Sequence, residues 1–253
     1  MLERISSTKP TVMKFDGTNW VAVGSPGFTS GQASYMSFAM HNGIPYIAYQ
    51  DSASSNKATV MKFANDPATF QDVSVNYWAW RWIESIYAAG ITGGCSVSPL
   101  NYCPTSPVTR AQMAVFLEKG VHGNSFTPAD VPPTFNDTAG HWAEDWIEAL
   151  KADAITSGCG DGNYCPESPV TRAQMAVFLL KAKYGQSYNP PPVGGSTGFG
   201  DVPIDHWAAA WIKQLAAENI TSGCGGGNYC PDNPVTRDQM AVFLQKSFNL
   251  PLP

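Results

Sequence analysis

Charge is scarce in this 253-residue chain. Only 14% of its residues are Asp, Glu, Lys or Arg, against roughly a quarter in ordinary soluble domains. The net charge is −5 and Lys and Arg never cluster in a run, so nucleic acid and anionic membrane surfaces have nothing basic to grip. No apolar stretch approaches the ~18 residues that a membrane span requires, and no membrane span is expected. The N-terminus, MLERISSTKP, lacks the charged-then-apolar profile of a signal peptide. Export signalled in another way, or a start partway through a longer precursor, is the expectation. Histidine occurs four times, as His41, His122, His141 and His206, and none stands beside a nucleophile motif. HExxH, GxSxG and phosphate-loop patterns are missing too. The chain therefore reads as non-catalytic, with no cofactor and no metal.

What the chain does have is structure-forming residues. Aromatics reach 12%, with 23 Gly and 20 Pro, a composition of rigid, turn-rich folds rather than of disorder. The length allows a sizeable core and about two domains.

One phrase is written three times, as NYCPTSPVTRAQMAVFL from Asn101, NYCPESPVTRAQMAVFL from Asn163 and NYCPDNPVTRDQMAVFL from Asn228. Each copy follows a matching aromatic segment that begins at Trp78, Trp142 or Trp207. A repeat at this spacing organises the C-terminal chain. In the aromatic segment Trp78, Trp82, Ile83 and Ile86 fall at helical spacing, as do Trp142, Trp146, Ile147 and Leu150, and Trp207, Trp211, Ile212 and Leu215. That first helix is expected to stop near Gly93, Gly158 and Gly223. A second helix is expected after Thr109, Thr171 and Thr236, with Gln112, Gln174 and Gln239 completing capping boxes and Val108 and Met113 a hydrophobic staple. Its apolar face, Met113, Phe116 and Leu117 and their counterparts, reads as core.

All six cysteines lie between the two helices: Cys95 with Cys103, Cys159 with Cys165, Cys224 with Cys230. Seven or five intervening residues and no histidine neighbours favour three disulfides over zinc, and disulfides imply an extracellular or cell-surface setting. The GDGN segment from Gly160 offers too few oxygens for calcium and reads as a turn.

Residues 1–65 differ in kind. TVMKF occurs at Thr11 and again at Thr59, and the runs WVAVG, SYMSFAM and PYIAYQD lie between, separated by DGTN, SPGFTSG and HNG. These are antiparallel strands by pattern, and the segment resembles a single β-propeller blade. A propeller needs about four to eight blades, so the lone unit leaves three alternatives: earlier blades outside this chain, blades from partner chains, or a small sheet packed on the repeats. Trp20, Tyr46 and Tyr49 could stack on sugar, although alternating aromatics in strands are more often core.

The first residue of each second helix is Arg110, Arg172 or Arg237. A cation there opposes the helix dipole. Two explanations stand level: a receptor for carboxylate or phosphate built with free backbone N–H groups, or pairing with an acid of the same repeat, Asp72, Asp137 or Asp201.

The pattern FxD, WAxxWIxxL, ITxGC and PVTRAQMAVFL resembles the S-layer homology (SLH) domain over about residues 66–248. The resemblance implies an α+β chain: an N-terminal antiparallel β segment (1–65), then an all-α, pseudo-threefold bundle of helix-loop-helix repeats at 66–120, 131–184 and 198–248. It further implies non-covalent anchoring to anionic cell-wall polysaccharide. Carried over by motif, the sugar-binding residues would be Arg110, Arg172 and Arg237, Asp72, Asp137 and Asp201, and Trp78, Trp142 and Trp207. The cysteines replace an aromatic and a polar loop residue of that family, Gln replaces the Glu of its TRAE motif, and Tyr77 stands where His141 and His206 do. The competing function is a structural subunit of a surface layer or filament, a homo-oligomer joined through an open β-sheet edge.

Overall fold

The computed structural model describes residues 2–4, 9–15, 18–22, 26–41, 44–62 and 68–253. It divides into two compact units, Met1–Pro67 and Ala68–Pro253.

Among the described residues the first unit holds six strands in two antiparallel sheets: β1 (Leu2–Arg4), β2 (Pro10–Phe15) and β3 (Trp20–Ala22) in one, and β4 (Ala33–His41), β5 (Ile44–Asp51) and β6 (Lys57–Lys62) in the other. The two TVMKF copies thus fall on strands of different sheets, β2 and β6, because β2 pairs with β1 and β3 whereas β6 pairs with β5. Parts of the expected DGTN and HNG turns, the end of WVAVG and Phe63 lie outside the described residues. Alternation along β5 buries Ile47 and Tyr49, and the Tyr49 hydroxyl donates to Met61 Sδ at 3.2 Å. Tyr49 is therefore core, whereas Trp20 remains half exposed against Phe15. Asp51 ends β5 and caps the 3-10 turn Ser52–Ser54 by accepting from Ala53 N at 3.0 Å.

The second unit contains six helices among the described residues: α1 (Trp80–Ala88), α2 (Arg110–His122), α3 (Glu144–Ala152), α4 (Arg172–Tyr184), α5 (Ala209–Ala217) and α6 (Arg237–Phe248). The first helix of each pair begins two residues later than its aromatic spacing predicts. A turn precedes it, with Trp80 N on Tyr77 O, Glu144 N on His141 O and Ala209 N on His206 O. Ala79, Ala143 and Ala208 take the inward position, which leaves Trp78, Trp142 and Trp207 outside the apolar face. These helices also end earlier than expected: the left-handed residues behind them are Gly90, Ala154 and Asn219. Of the expected stops, Gly158 and Gly223 do adopt positive φ, but in the following loop, where Gly94 rather than Gly93 is their counterpart.

The second helices start where predicted. Thr109 and Thr171 form complete capping boxes with Gln112 and Gln174. The third box is missing: Thr236 Oγ1 donates to Asp238, and Gln239 accepts instead from Arg172 Nη1 at 3.3 Å. Asp238, an alanine in the other copies, also accepts from the Tyr77 hydroxyl at 2.6 Å. One exchange thus accounts for both departures of sequence, since where Asp238 has Tyr77, His141 bonds Glu167. Burial and this bond push the Tyr77 hydroxyl up to about 12.

Each second helix packs on the first helix of another copy, α2 on α3, α4 on α5 and α6 on α1, while α2, α4 and α6 touch one another. The stretches before them close a ring: Val108 N donates to Val235 O, Val235 N to Val170 O, and Val170 N to Val108 O, each at 2.9 Å. Met113, Phe116 and Leu117 and their counterparts are buried, each stabilising the unit by about 1.5–3 kcal/mol. All three disulfides form, with Cα–Cα separations of 5.9, 6.1 and 6.0 Å. The first loop, longer than the others, adds a short hairpin of β7 (Ser96–Val97) and β8 (Leu100–Asn101).

Candidate functional site: grooves between helix pairs

The arginines at the helix starts are buried, at 3%, 4% and 3% exposure for Arg110, Arg172 and Arg237. Each reaches into another copy. Arg110 Nε donates to Tyr164 O at 2.6 Å, Arg172 Nε to Tyr229 O at 2.7 Å and Arg237 Nε to Tyr102 O at 2.6 Å. The tyrosine hydroxyls donate back to the arginine carbonyls, at 2.8, 2.7 and 2.7 Å. Each guanidinium also sits 4.6–4.7 Å from the ring centre of that tyrosine and 5.5 Å from a phenylalanine. Burial lowers the arginine pKa values and raises those of the three tyrosines.

The contacts of these arginines lack the free backbone amides of the first explanation and the same-copy acid of the second. The first-turn amides are not free, because Arg110 N and Ala111 N donate to Ser168 O and Pro166 O, and the other two copies repeat the arrangement. Nor is the partner an acid of the same copy. Carbonyls and rings are, and each nearby acid, such as Asp137 for Arg110, belongs to the copy that supplies the tyrosine. One nitrogen is left over: Nη2 of Arg110, Arg172 and Arg237 is buried with no hydrogen-bond partner among the described residues.

Asp72, Asp137 and Asp201 brace the disulfide loops. One carboxylate oxygen of each accepts from the tyrosine N–H and the other from the cysteine N–H, all at 2.7–2.8 Å. For Asp201, burial acts to raise the pKa, but the bonds from Tyr229 and Cys230 outweigh it and leave the carboxyl below its usual range. Trp78, Trp142 and Trp207 are 56%, 62% and 63% exposed.

Two grooves bring two of the arginines together with two of the tryptophans, and Asp72, Asp137 and Asp201 line neither. One, of about 420 Å³, is lined by Arg172, Trp78, Lys246, Gln239 and the loop Ile220–Gly225. The other, of about 280 Å³, is lined by Arg237, Trp142, Lys119, Gln112 and the loop Ile91–Cys95. Each combines a loop and lysine of one copy with a tryptophan of a second and an arginine of a third. The lysines are tethered near the ends of the first helices, Lys119 Nζ to Gly90 O at 3.3 Å and Lys246 Nζ to Asn219 O at 2.8 Å. Lysine was not among the residues singled out from sequence, although AVFL is followed at the second place by Lys119, Lys181 and Lys246 in all three copies. Such a groove offers an aromatic face, two cations and a loop backbone, which together suit a ring carrying an acid group.

The geometry defines a class: disulfide-closed helix-loop-helix repeats that share composite cationic grooves. The S-layer homology domain model matches residues 134–176 and 198–241, and the chain carries S-layer homology domains there. Relatives include the cellulosome-anchoring protein of Acetivibrio thermocellus, 30% identical over 155 residues, 59% of this chain and 33% of that protein. S-layer protein EA1 of Bacillus anthracis is 31% identical over 180 residues, 70% of this chain and 20% of that protein. An endoglucanase of a Bacillus species is 27% identical over 176 residues, 69% and 18% respectively. The chain spans a third or less of the length of these curated relatives. Domain matches and disulfides together are those of a cell-surface protein. Among the described residues no helix is long and apolar enough to cross a membrane.

Proposed function

We propose that this chain anchors its protein non-covalently to anionic cell-wall or envelope polysaccharide and that the anchor itself is not catalytic. The observation that carries this reading is that an arginine, a lysine and an exposed tryptophan line each of the two grooves. Residues 66–120 serve as a third S-layer homology repeat, supported by the same Asp, Tyr, Arg and disulfide contacts as in the matched copies. The three then form a pseudo-threefold bundle, supported by the closed valine ring. A third groove follows from the repeat, with Arg110, Trp207 and Lys181. Arginine and lysine take the acid group, tryptophan stacks on the sugar ring, and Asp72, Asp137 and Asp201 hold the loops in position. The names of the relatives, an anchoring protein and an S-layer protein, support a surface role.

Co-sedimentation with purified cell-wall polysaccharide tests this. The variant Trp78→Ala/Trp142→Ala/Trp207→Ala removes only exposed side chains, so it should fold as before and lose sedimentation. Sedimentation equal to wild type would refute the groove assignment.

A second reading, assembly through the β segment, rests on exposed apolar residues along its edge strands: Trp20 of β3, Phe38 and Met40 of β4 and Val60 of β6. A chain that stays monomeric at high concentration, with no fibres or sheets under the electron microscope, would exclude it.

A further inference from the structure

The junction of α2 with α3 departs from its counterpart between α4 and α5 in a way the fold does not require. At the latter, Leu180 is buried, the Tyr184 ring lies tilted against Tyr188 with ring centres 4.6 Å apart, and Tyr188 meets Trp211 edge-on. At the former, Phe126 still meets Trp146 edge-on, but Glu118 and His122 stand in the places of Leu180 and Tyr184, and His122 stacks on Phe126 at 4.4 Å.

Glu118 is wholly buried, and neither of its carboxylate oxygens has a hydrogen-bond partner among the described residues. His122 Nε2 lies 3.5 Å from Glu118 Oε2 and 2.7 Å from Asp153 Oδ2. One ligand atom from each of these three residues falls within 4.8 Å of the others. All three line a cavity of about 290 Å³. Glu148 lines it too, but both of its oxygens are taken by Thr134 N and Oγ1, at 2.8 and 2.5 Å. Asp153 closes the C-terminus of α3, where the helix dipole disfavours an anion. The buried Glu118 carboxyl lacks a hydrogen-bond partner, and an imidazole held by stacking and the Asp153 carboxylate lie beside it, so a cation would supply the partner it lacks.

We infer that Glu118, His122 and Asp153 form a binding site for one divalent transition-type cation, Zn²⁺ or Co²⁺. Imidazole with two carboxylates selects such an ion over calcium, which takes six to eight oxygens. Three protein ligands leave a fourth position for water, and the partly exposed His122 and Asp153 give the ion a way in. The ion would tie α2 to α3, and so the first copy to the second.

The test uses the untagged full chain with its disulfides intact. Equilibrium dialysis against ZnCl₂ with metal quantification should find one Zn²⁺ per chain, and Co²⁺ should give the visible absorption of a low-coordinate site. Glu118→Leu and His122→Tyr install residues that the second copy already carries at these places, so circular dichroism should show both folded. Each should bind Zn²⁺ more weakly by roughly tenfold or more and lose the Co²⁺ spectrum. The inference is overturned if wild type shows no saturable Zn²⁺ binding below about 1 mM, or if both variants bind as wild type does.

Discussion

Arg172 is the residue on which fold and groove most directly meet, and Arg172→Ala should damage both. The substitution removes a hydrogen bond from a charged donor to Tyr229 O, worth about 1.5–3 kcal/mol. It also removes a guanidinium stacked over Tyr229 and near Phe243, worth about 0.5–2 kcal/mol. The total is roughly 2–5 kcal/mol before any cavity is counted. In a unit of this size, about 2–4 °C of Tm goes with each kcal/mol, so thermal unfolding followed by circular dichroism should show a fall of roughly 5–15 °C. Trp142→Ala, at a side chain 62% exposed, should shift Tm by no more than about 2 °C. Unfolding of Arg172→Ala within about 2 °C of wild type would show that the buried guanidinium contributes little to the fold, contrary to its contacts.

Three further outcomes follow from the same contacts. Burial pushes Glu118 up to about 8, and its repulsion from Asp153 acts in the same direction. Since the folded pKa lies above the unfolded one, metal-free protein should lose roughly 4 kcal/mol as pH rises from about 4.5 to about 8, and Glu118→Leu should flatten that dependence in denaturant titrations. A Cβ on Gly120 would lie 2.1 Å from the Phe248 ring, so Gly120→Ala should cost about 1–3 kcal/mol, whereas a gain in Tm would contradict the close approach. Reduction of the disulfides should lower stability by roughly 2–3 kcal/mol for each loop, measured as a shift in urea midpoint with and without reductant.

Much of the second unit was legible in the sequence. Thr109 with Gln112, the apolar face through Met113, Phe116 and Leu117, and the cysteine pairing are local signals, written within a few residues of where they act. The role of the arginines was not, because it depends on a partner 54 to 57 residues away for Arg110 and Arg172 and 135 for Arg237. Trp78, Trp142 and Trp207 share the helical spacing of Trp82, Trp146 and Trp211, yet a turn of backbone before each helix leaves them outside it and exposed. Asp238 shows the same limit, since its bond to Tyr77 spans 161 residues and no periodicity marks it. The lysines were visible in the repeat, and only the grooves show what they are for. In the β segment the strands were legible but their division into two sheets was not, because pairing partners are not encoded in alternation.

The central claim is that an acid group of the polysaccharide is held in these cationic grooves. Its most direct measurement is the binding isotherm of the intact chain on purified cell-wall polysaccharide, before and after chemical neutralisation of the polysaccharide's acid groups. Saturable binding that is lost on neutralisation is the expected result. Equal binding to the charged and the neutralised polymer would contradict the claim.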